Sequence, residues 1–426
     1  MCFCIDRPFT FVEGEGFREL VKHFISIGST YGQVNVDDVL PCRTTISRHM
    51  DGVVEVEKAW LLKELDNVHQ FGITTDLWSH DSTGHSYITV TAQYITEWEV
   101  KSKILATRVL DERHTAENVK VTVNAILEEF HAERPNNVFV TDNASNMRAA
   151  FREKTWIGCA CHNLNFVLSH SFERQHSDDD IPGMPDEVLK LVDVCKDIVT
   201  IGKRSKLNAK LEKTLKQCVS TRWNSVLTTL QSVASNIDNL RTLSSDMSVS
   251  KNMLRHLADL NEILLREVID VLLPFDTATR CLSADKSVTM HLILPTRHKL
   301  FRGLQVLATD SAVISQMKTR VAKQLEKYFP ISDLHRTAVL LDPRLKDNAT
   351  SLEADDRRAA TESLRRLVES VEEEPHSSQT AGQSHSSQGT SDEQEPAQKK
   401  RKEDDGFFSD FFTTASAATV NEVNTR

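Results

Sequence analysis

Two aspartates carry the clearest chemistry in this sequence: Asp76 in ITTDLWS and Asp142 in VFVTDNASNM, each at the end of a short β-prone run. A metal-dependent phosphoryl-transfer site needs such acids. A buried strand fixes the carboxylate, its tip reaches a cleft, and Mg2+ takes carboxylate and water oxygens there. Two cations roughly 3.5–4 Å apart then stabilise the attacking and leaving oxygens. The alternative is that each Asp caps a loop. Two in one β-rich unit keep the metal-site alternative open. Cys159, Cys161 and His162 in GCACHNLNFVL have the donor types of a zinc site. They supply at most three ligands with no second cluster, so zinc is not expected, and helix-start packing or DNA contact is the stronger alternative. Trp223 in STRWNS suits stacking on a flipped or unpaired base. It equally suits a core position opening a helix capped by Ser220 or Thr221. Arg222 beside it suits a phosphate contact or a solvated surface. Lys399, Lys400, Arg401 and Lys402 follow Pro396 and suit a nuclear import signal, with a generic basic patch as the alternative.

The elements that must position these residues fall into four zones. Residues 1–70 form an N-terminal helical region. In FTFVEGEGFRELVKHFISIG, Phe17, Leu20, Val21, Phe24 and Ile25 share one helical face. Pro41 opens a second helical stretch with Thr44 and Thr45 as cap candidates. Residues 71–175 form a β-rich core. His85 to Thr96 alternates β-branched and aromatic residues, Val100 to Leu110 is its antiparallel partner, and Glu97 and Trp98 lie near the turn. A helix from about Thr115 to Phe130 buries Val119, Val123, Ile126, Leu127 and Phe130. The order β-β-β-α-β-α describes a mixed sheet with helices packed on it. Residues 176–370 are helical in pattern, as in VLKLVDVCKDIVTIGKR, NMLRHLADLNEILLREVIDVLLPF and SAVISQMKTRVAKQLEKYF. Residues 371–426 form a low-complexity tail expected to be disordered, because its Ser, Gln, Glu and Pro cannot bury enough surface to offset ordering entropy.

Composition excludes several classes. The 426 residues hold enough apolar side chains for two or three packed units. No run of 18 apolar residues is present, so no membrane span is expected. The N-terminus lacks the basic and apolar regions of a secretory signal. Eight scattered cysteines fit a reducing compartment. A net charge of −10 argues against a globally basic nucleic-acid binder but leaves room for a local basic groove.

Six segments in series carry a resemblance: ITTDLWS, HTAENV at 114–119, VTDNASNM, GCACHNLNFVL, STRWNSV at 220–226 and LLDPRLKD at 340–347. Together they resemble hAT-superfamily transposases, and within that group the vertebrate BED-type zinc-finger proteins domesticated from such elements. The resemblance covers roughly residues 9–350. It implies an RNase H-like fold, an α/β mixed sheet interrupted by a large all-α insertion. It also implies that Asp76 and Asp142 match the first two acids of a DDE-type triad, with Mg2+ as the metal such a pair would hold. Cys159 and His162 match the family's Cys-x-x-His, and Arg222 and Trp223 its Arg-Trp element.

The same resemblance exposes departures. The family's third carboxylate is a Glu in a Ser-Glu-Arg context beyond the insertion, in a segment that also carries dimerisation, and it is not found here. No BED-type finger is found either, since no Cys-x-x-Cys is followed at finger spacing by paired His. The expectation is a nuclear, transposon-derived, DNA-associated or transcription-regulatory protein, a truncated product or domesticated remnant without its DNA reader or catalysis. DNA and protein partners are expected, and homodimerisation is left open. The competing expectations are an active metal-dependent transposase or nuclease, and a protein-interaction scaffold with the SUMO-linked roles of BED-finger relatives.

Overall fold

The computed structural model of the chain describes residues 9–80, 82–174, 181–219, 223–245, 251–284, 287–346, 352, 354–372 and 407. These residues form two compact units. The smaller holds the described residues up to Val68 together with Phe130–Ala132. Helix α1 (Glu15–Tyr31) ends at Gly32, whose φ of 73° is open to glycine at no steric cost. A short α2 (Val36–Val39) precedes α3 (Arg43–Asp66). Cys42, and not Thr44 or Thr45, stands at the N-cap of α3. Both threonines fall inside the first turn, where their hydroxyls lie 3.0 and 3.2 Å from the Cys42 sulfur. The far end of α3 is tied down by Lys58 over the Phe130 ring and by His131 Nδ1 at 3.0 Å from Asp66 Oδ1. The apolar face read for α1 is present in the sequence, but no residue of that helix is buried.

The larger unit begins with a hairpin-rich sheet. Strands β1 (Gly72–Ser79), β2 (Ser86–Thr96) and β3 (Glu99–Val109) run antiparallel in sequence order. Helix α4 (Ala116–Glu129) carries Val119, Val123, Ile126 and Leu127 into the core. It returns the chain to β4 (Val138–Thr141), which pairs parallel with β1. Helix α5 (Ser145–Ala150) then leads to β5 (Thr155–Gly158), parallel to β4. The sheet order is β3-β2-β1-β4-β5, the RNase H-like mixed sheet. β5 was not expected from sequence: four residues flanked by turns show no readable period.

Helix α6 (Ala160–Ser171) leaves the sheet edge and enters the helical region. There α7 (Asp186–Arg204), α8 (Asn224–Ala234), α9 (Ile237–Ser245) and α10 (Lys251–Asp259) are followed by the long α11 (Glu262–Leu282). Helices α12 (Met290–Gly303), α13 (Ala312–Tyr328), α14 (Asp333–Leu341) and α15 (Ala354–Glu372) complete it. The apolar run from Asn252 to Phe275 spans two helices. Asn261 breaks it by accepting a hydrogen bond from the Leu264 N–H at 3.1 Å as an N-cap. One apolar cluster, from Leu164 of α6 to Leu352, fills this region, and Phe407 of the C-terminal tail is buried with it. The basic quartet Lys399–Lys402 and Arg222 lie outside the described residues.

A buried arginine joins the helical region to α6. Arg320 of α13 is 2% exposed. Its guanidinium donates to the carbonyls of Ser171, His170 (2.7 Å), Glu173 (3.4 Å) and Pro182 (2.7 Å). The carbonyls at a helix C-terminus lack intrahelical partners, and a cation there satisfies them and the helix dipole together. In Arg320→Met these carbonyls would lose charge-assisted bonds. We expect a loss of about 3 kcal/mol in denaturant-induced unfolding. An unchanged midpoint would show that the grip contributes nothing.

The β2–β3 turn holds the opposite kind of feature. Glu97 and Trp98 have φ of 50° and 63°, and Trp98 is 99% exposed. A two-residue turn of this type favours Asn-Gly, and left-handed backbone costs ordinary residues about 1–2 kcal/mol each. The double substitution Glu97→Asn, Trp98→Gly should therefore raise the thermal midpoint. A lowered one would show that the tryptophan packs in solution.

Candidate active site

Parallel pairing of β1 with β4 brings the two acids together. Gly72 pairs with Val138, Ile73 with Phe139 and Thr74 with Val140, so the same offset sets Asp76 level with Asp142. Asp142 follows the end of β4, and its Oδ1 accepts the Ala144 N–H at 3.1 Å, closing the turn into α5. Asp76 is not at a strand end, as expected, but inside β1. Pairing with β2 carries β1 on to Ser79, past the last β4 residue. The acid therefore sits where one neighbouring strand has stopped and the other continues. Burial pushes the Asp76 carboxyl above the usual carboxylate range, His162 opposes that rise, and Asp142 adds to it.

The third side of the site comes from the N-terminus of α6. Cys159 extends the β4–β5 ladder, its N–H bonding the Thr141 carbonyl at 2.7 Å, and it occupies the N-cap of α6. His162 stands in the first turn. The Cys161 thiol donates to the Cys159 sulfur, and His162 adds a second hydrogen bond. Together they hold the Cys159 thiol far below its ordinary value against the opposing effect of burial. Cys161 keeps its proton, raised by its bond to that sulfur and by burial. Its sulfur also lies 3.3 Å from Ser283 Oγ and 3.8 Å from the Thr279 carbonyl at the end of α11. His162 is raised above the ordinary imidazole value, first by Cys159 and then by the charges of Asp76 and Asp142, while burial opposes them. Asp76, Asp142, Cys159 and His162, all selected from the sequence, thus form one electrostatic cluster.

The donor set does not by itself fit a resident metal. Among the described residues no three His, Cys, Asp or Glu side chains are arranged to hold an ion. The three Cys and His side chains bond one another. Among the described residues the His162 imidazole, not a third carboxylate, acts on the two acids. Sequence reasoning also missed the close fit behind them. The Asn143 amide donates to Asn163 Oδ1. A Cβ at Gly158 would press on the Asn143 side chain, so a larger residue where β5 meets α6 would force that amide to shift. Only the packing recorded between those residues reveals it.

Trp223 lies apart from this cluster. It is 7% exposed, its ring meets Phe275 of α11 edge-on at 6.5 Å, and its backbone N–H donates to Asn165 Oδ1 of α6 at 3.3 Å. In LLDPRLKD, Asp342 is bound by Arg344 (2.7 Å) and His291 (3.3 Å), bracing the start of α12 against the end of α14.

Comparison with known proteins places these features. Residues 2–45 match the Hermes transposase DNA-binding domain and residues 74–155 the ZBED1 RNase-like domain. The first match corrects the expectation that the chain has no counterpart to the family's DNA-reading region; its described residues, 9–45, are mostly helical. The Transposable element Hobo transposase of Drosophila melanogaster is 30% identical over 345 residues, 79% of this chain and 51% of that protein. The Putative AC transposase of Zea mays is 24% identical over 382 residues, 80% of this chain and 43% of that protein. The Putative transcriptional regulator tpeD of Talaromyces stipitatus is 22% identical over 342 residues, 70% of this chain and 38% of that protein. The chain thus spans about half the length of the Hobo transposase and less of the other two. Both acids fall within the ZBED1 RNase-like match, and together with the mixed sheet these similarities support a hAT-derived, transposase-like protein.

Proposed function

We propose that this chain is a nuclear, DNA-associated regulatory protein that holds duplex DNA through its N-terminal helices and does not itself complete a strand-transfer site. The match of residues 2–45 to the Hermes transposase DNA-binding domain carries the DNA part. Arg18, Lys22 and Arg43 lie exposed within that stretch and suit phosphate contacts. The similarity to a putative transcriptional regulator supports the regulatory part. The basic quartet Lys399, Lys400, Arg401 and Lys402 would serve nuclear import.

The make-up of the charge cluster supports the catalytic part. The charged groups acting on Asp76 are His162, Asp142 and Cys159, so Asp142 is the one carboxylate among them. Strand transfer by two cations needs acids enough to hold both, whereas here the group beside the pair is the His162 imidazole, which Cys159 and the two acids raise above its ordinary value. Asp76, Asp142, Cys159 and His162 then act as a rigid anchor at the sheet edge. The active-transposase alternative is favoured by one observation, the burial-raised Asp76 beside a second acid. Such perturbation is common where a carboxylate pair awaits a cation.

Two measurements on the purified chain separate these readings. Anisotropy of a labelled duplex across a salt series should show salt-dependent binding. The triple substitution Arg18→Gln, Lys22→Gln, Arg43→Gln should make the slope shallower by about 0.9 for each phosphate contact removed. Failure of the wild-type chain to bind duplex would refute the DNA assignment. Incubation of labelled DNA with Mg2+ or Mn2+ should leave the strand intact for wild type and Asp142→Ala alike. Cleavage that disappears in Asp142→Ala would establish the active alternative.

A further inference from the structure

The chain is acidic overall, with a net charge of −10, but one stretch of the larger unit reverses that sign. Two adjoining grooves share Arg148 and Trp156. The outer one runs along α5 and the turn after it and adds Arg152 and Lys154. The inner one, about 400 Å³, lies between β5 and the end of α13 and adds Asn143, His170, Lys327 and Tyr328. Among the described residues no carboxylate lines either groove. Acids flank the grooves in sequence without lining them: Asp142 precedes Asn143, Glu326 precedes Lys327, Glu153 meets Lys120 at 3.3 Å, and Glu173 approaches His170 at 4.0 Å.

The aromatic rings in these grooves are held in place and already paired with cations. Trp156 donates its ring N–H to Thr141 Oγ1 at 2.9 Å, and the Arg148 guanidinium lies over its ring at 5.6 Å. Tyr328 packs on His170 with ring centroids 4.4 Å apart, and Lys327 lies over its ring at 5.4 Å. The inner groove begins at Asn143, the residue after Asp142, so it opens beside the acid pair.

We propose that this groove binds an unpaired nucleotide of a DNA strand. The base would lie against Trp156 and Tyr328, and the flanking phosphates would meet Arg148, Arg152, Lys154 and Lys327. Charge complementarity selects the ligand. A single strand offers a flat π-face and an anion at every step, which is what alternating rings and cations without acids recognise, and such stacking tolerates any base. A closed duplex keeps its bases stacked on each other and offers the rings nothing. The inference takes its ligand class from the DNA reading above and its location from the groove.

Anisotropy with the full chain tests it, using three probes: a blunt duplex, the same duplex with a short unpaired 3′ tail, and the tail strand alone. The tail should tighten binding of the wild-type chain. Tyr328→Leu should remove that gain, a loss of roughly 5- to 100-fold, with blunt-duplex affinity unchanged. The double variant Arg148→Gln, Lys327→Gln changes exposed residues and so serves if Tyr328→Leu fails to fold. It should weaken tail binding and flatten its salt dependence. No gain from the tail in wild type, or a gain that survives both variants, would overturn the proposal. Loss of blunt-duplex binding alone, with Tyr328-dependent binding of the tail strand kept, removes the N-terminal duplex reading and leaves the groove standing. Failure to bind any probe removes both.

Discussion

Helix α6 is gripped at both ends, and the site depends on that grip. At its C-terminus the buried Arg320 satisfies carbonyls that the helix cannot satisfy itself. At its N-terminus the Cys159 N–H continues the β4–β5 ladder, and the Cys161 sulfur meets the end of α11. A helix fixed this way cannot slide along its axis without breaking charge-assisted bonds in a dry interior, each of which costs far more there than at a surface. Cys159 and His162 stand on its first turn, so their distance from the acids is set by residues far away in sequence. The helical insertion is therefore a structural partner of the sheet, and its packing reaches the carboxylates through one rigid element.

The sheet supplies the other half of the arrangement. A parallel pair has one fixed offset, and that offset makes Asp76 and Asp142 neighbours although 65 residues of hairpins and helix separate them in the chain. Placing two carboxylates together at a partly buried edge is unfavourable unless something compensates. Here His162 opposes the rise at Asp76, and Cys159 and the two acids raise the His162 imidazole in turn. Burial leads the rise at Asp76, the bond to Cys159 leads the rise at His162, and the bond from Cys161 leads the fall at Cys159, while the charges of the four groups act on one another as well. The cation-lined groove beyond Asn143 continues the same edge with the opposite sign.

Much of this was legible in the residues. The alternation in HSYITVTAQYIT gave β2 almost to the residue, and Thr115 was placed at the start of α4, where its hydroxyl accepts the Asn118 N–H. The pairing of the two acids followed from two β-prone runs ending alike. What escaped depended on contacts. Asp76 appeared terminal because the run of β-branched residues stops there, whereas β2 carries the strand on through Leu77, Trp78 and Ser79. β5 is too short to show a period. Arg320 reads as one more polar residue on an amphipathic helix, since its value lies in backbone carbonyls that no side-chain pattern records. The groove joins residues of α5, β5 and α13, and no spacing in the sequence brings Arg148 and Tyr328 together.

The central claim is that Asp76, Asp142, Cys159 and His162 form a single charge cluster. It is tested most directly by following the His162 ring proton by NMR across pH in the wild-type chain, Asp76→Asn and Cys159→Ser. The account predicts a wild-type midpoint above the ordinary imidazole value, with a drop in each variant and the larger drop in Cys159→Ser. A midpoint at the ordinary value that neither substitution moves would contradict it.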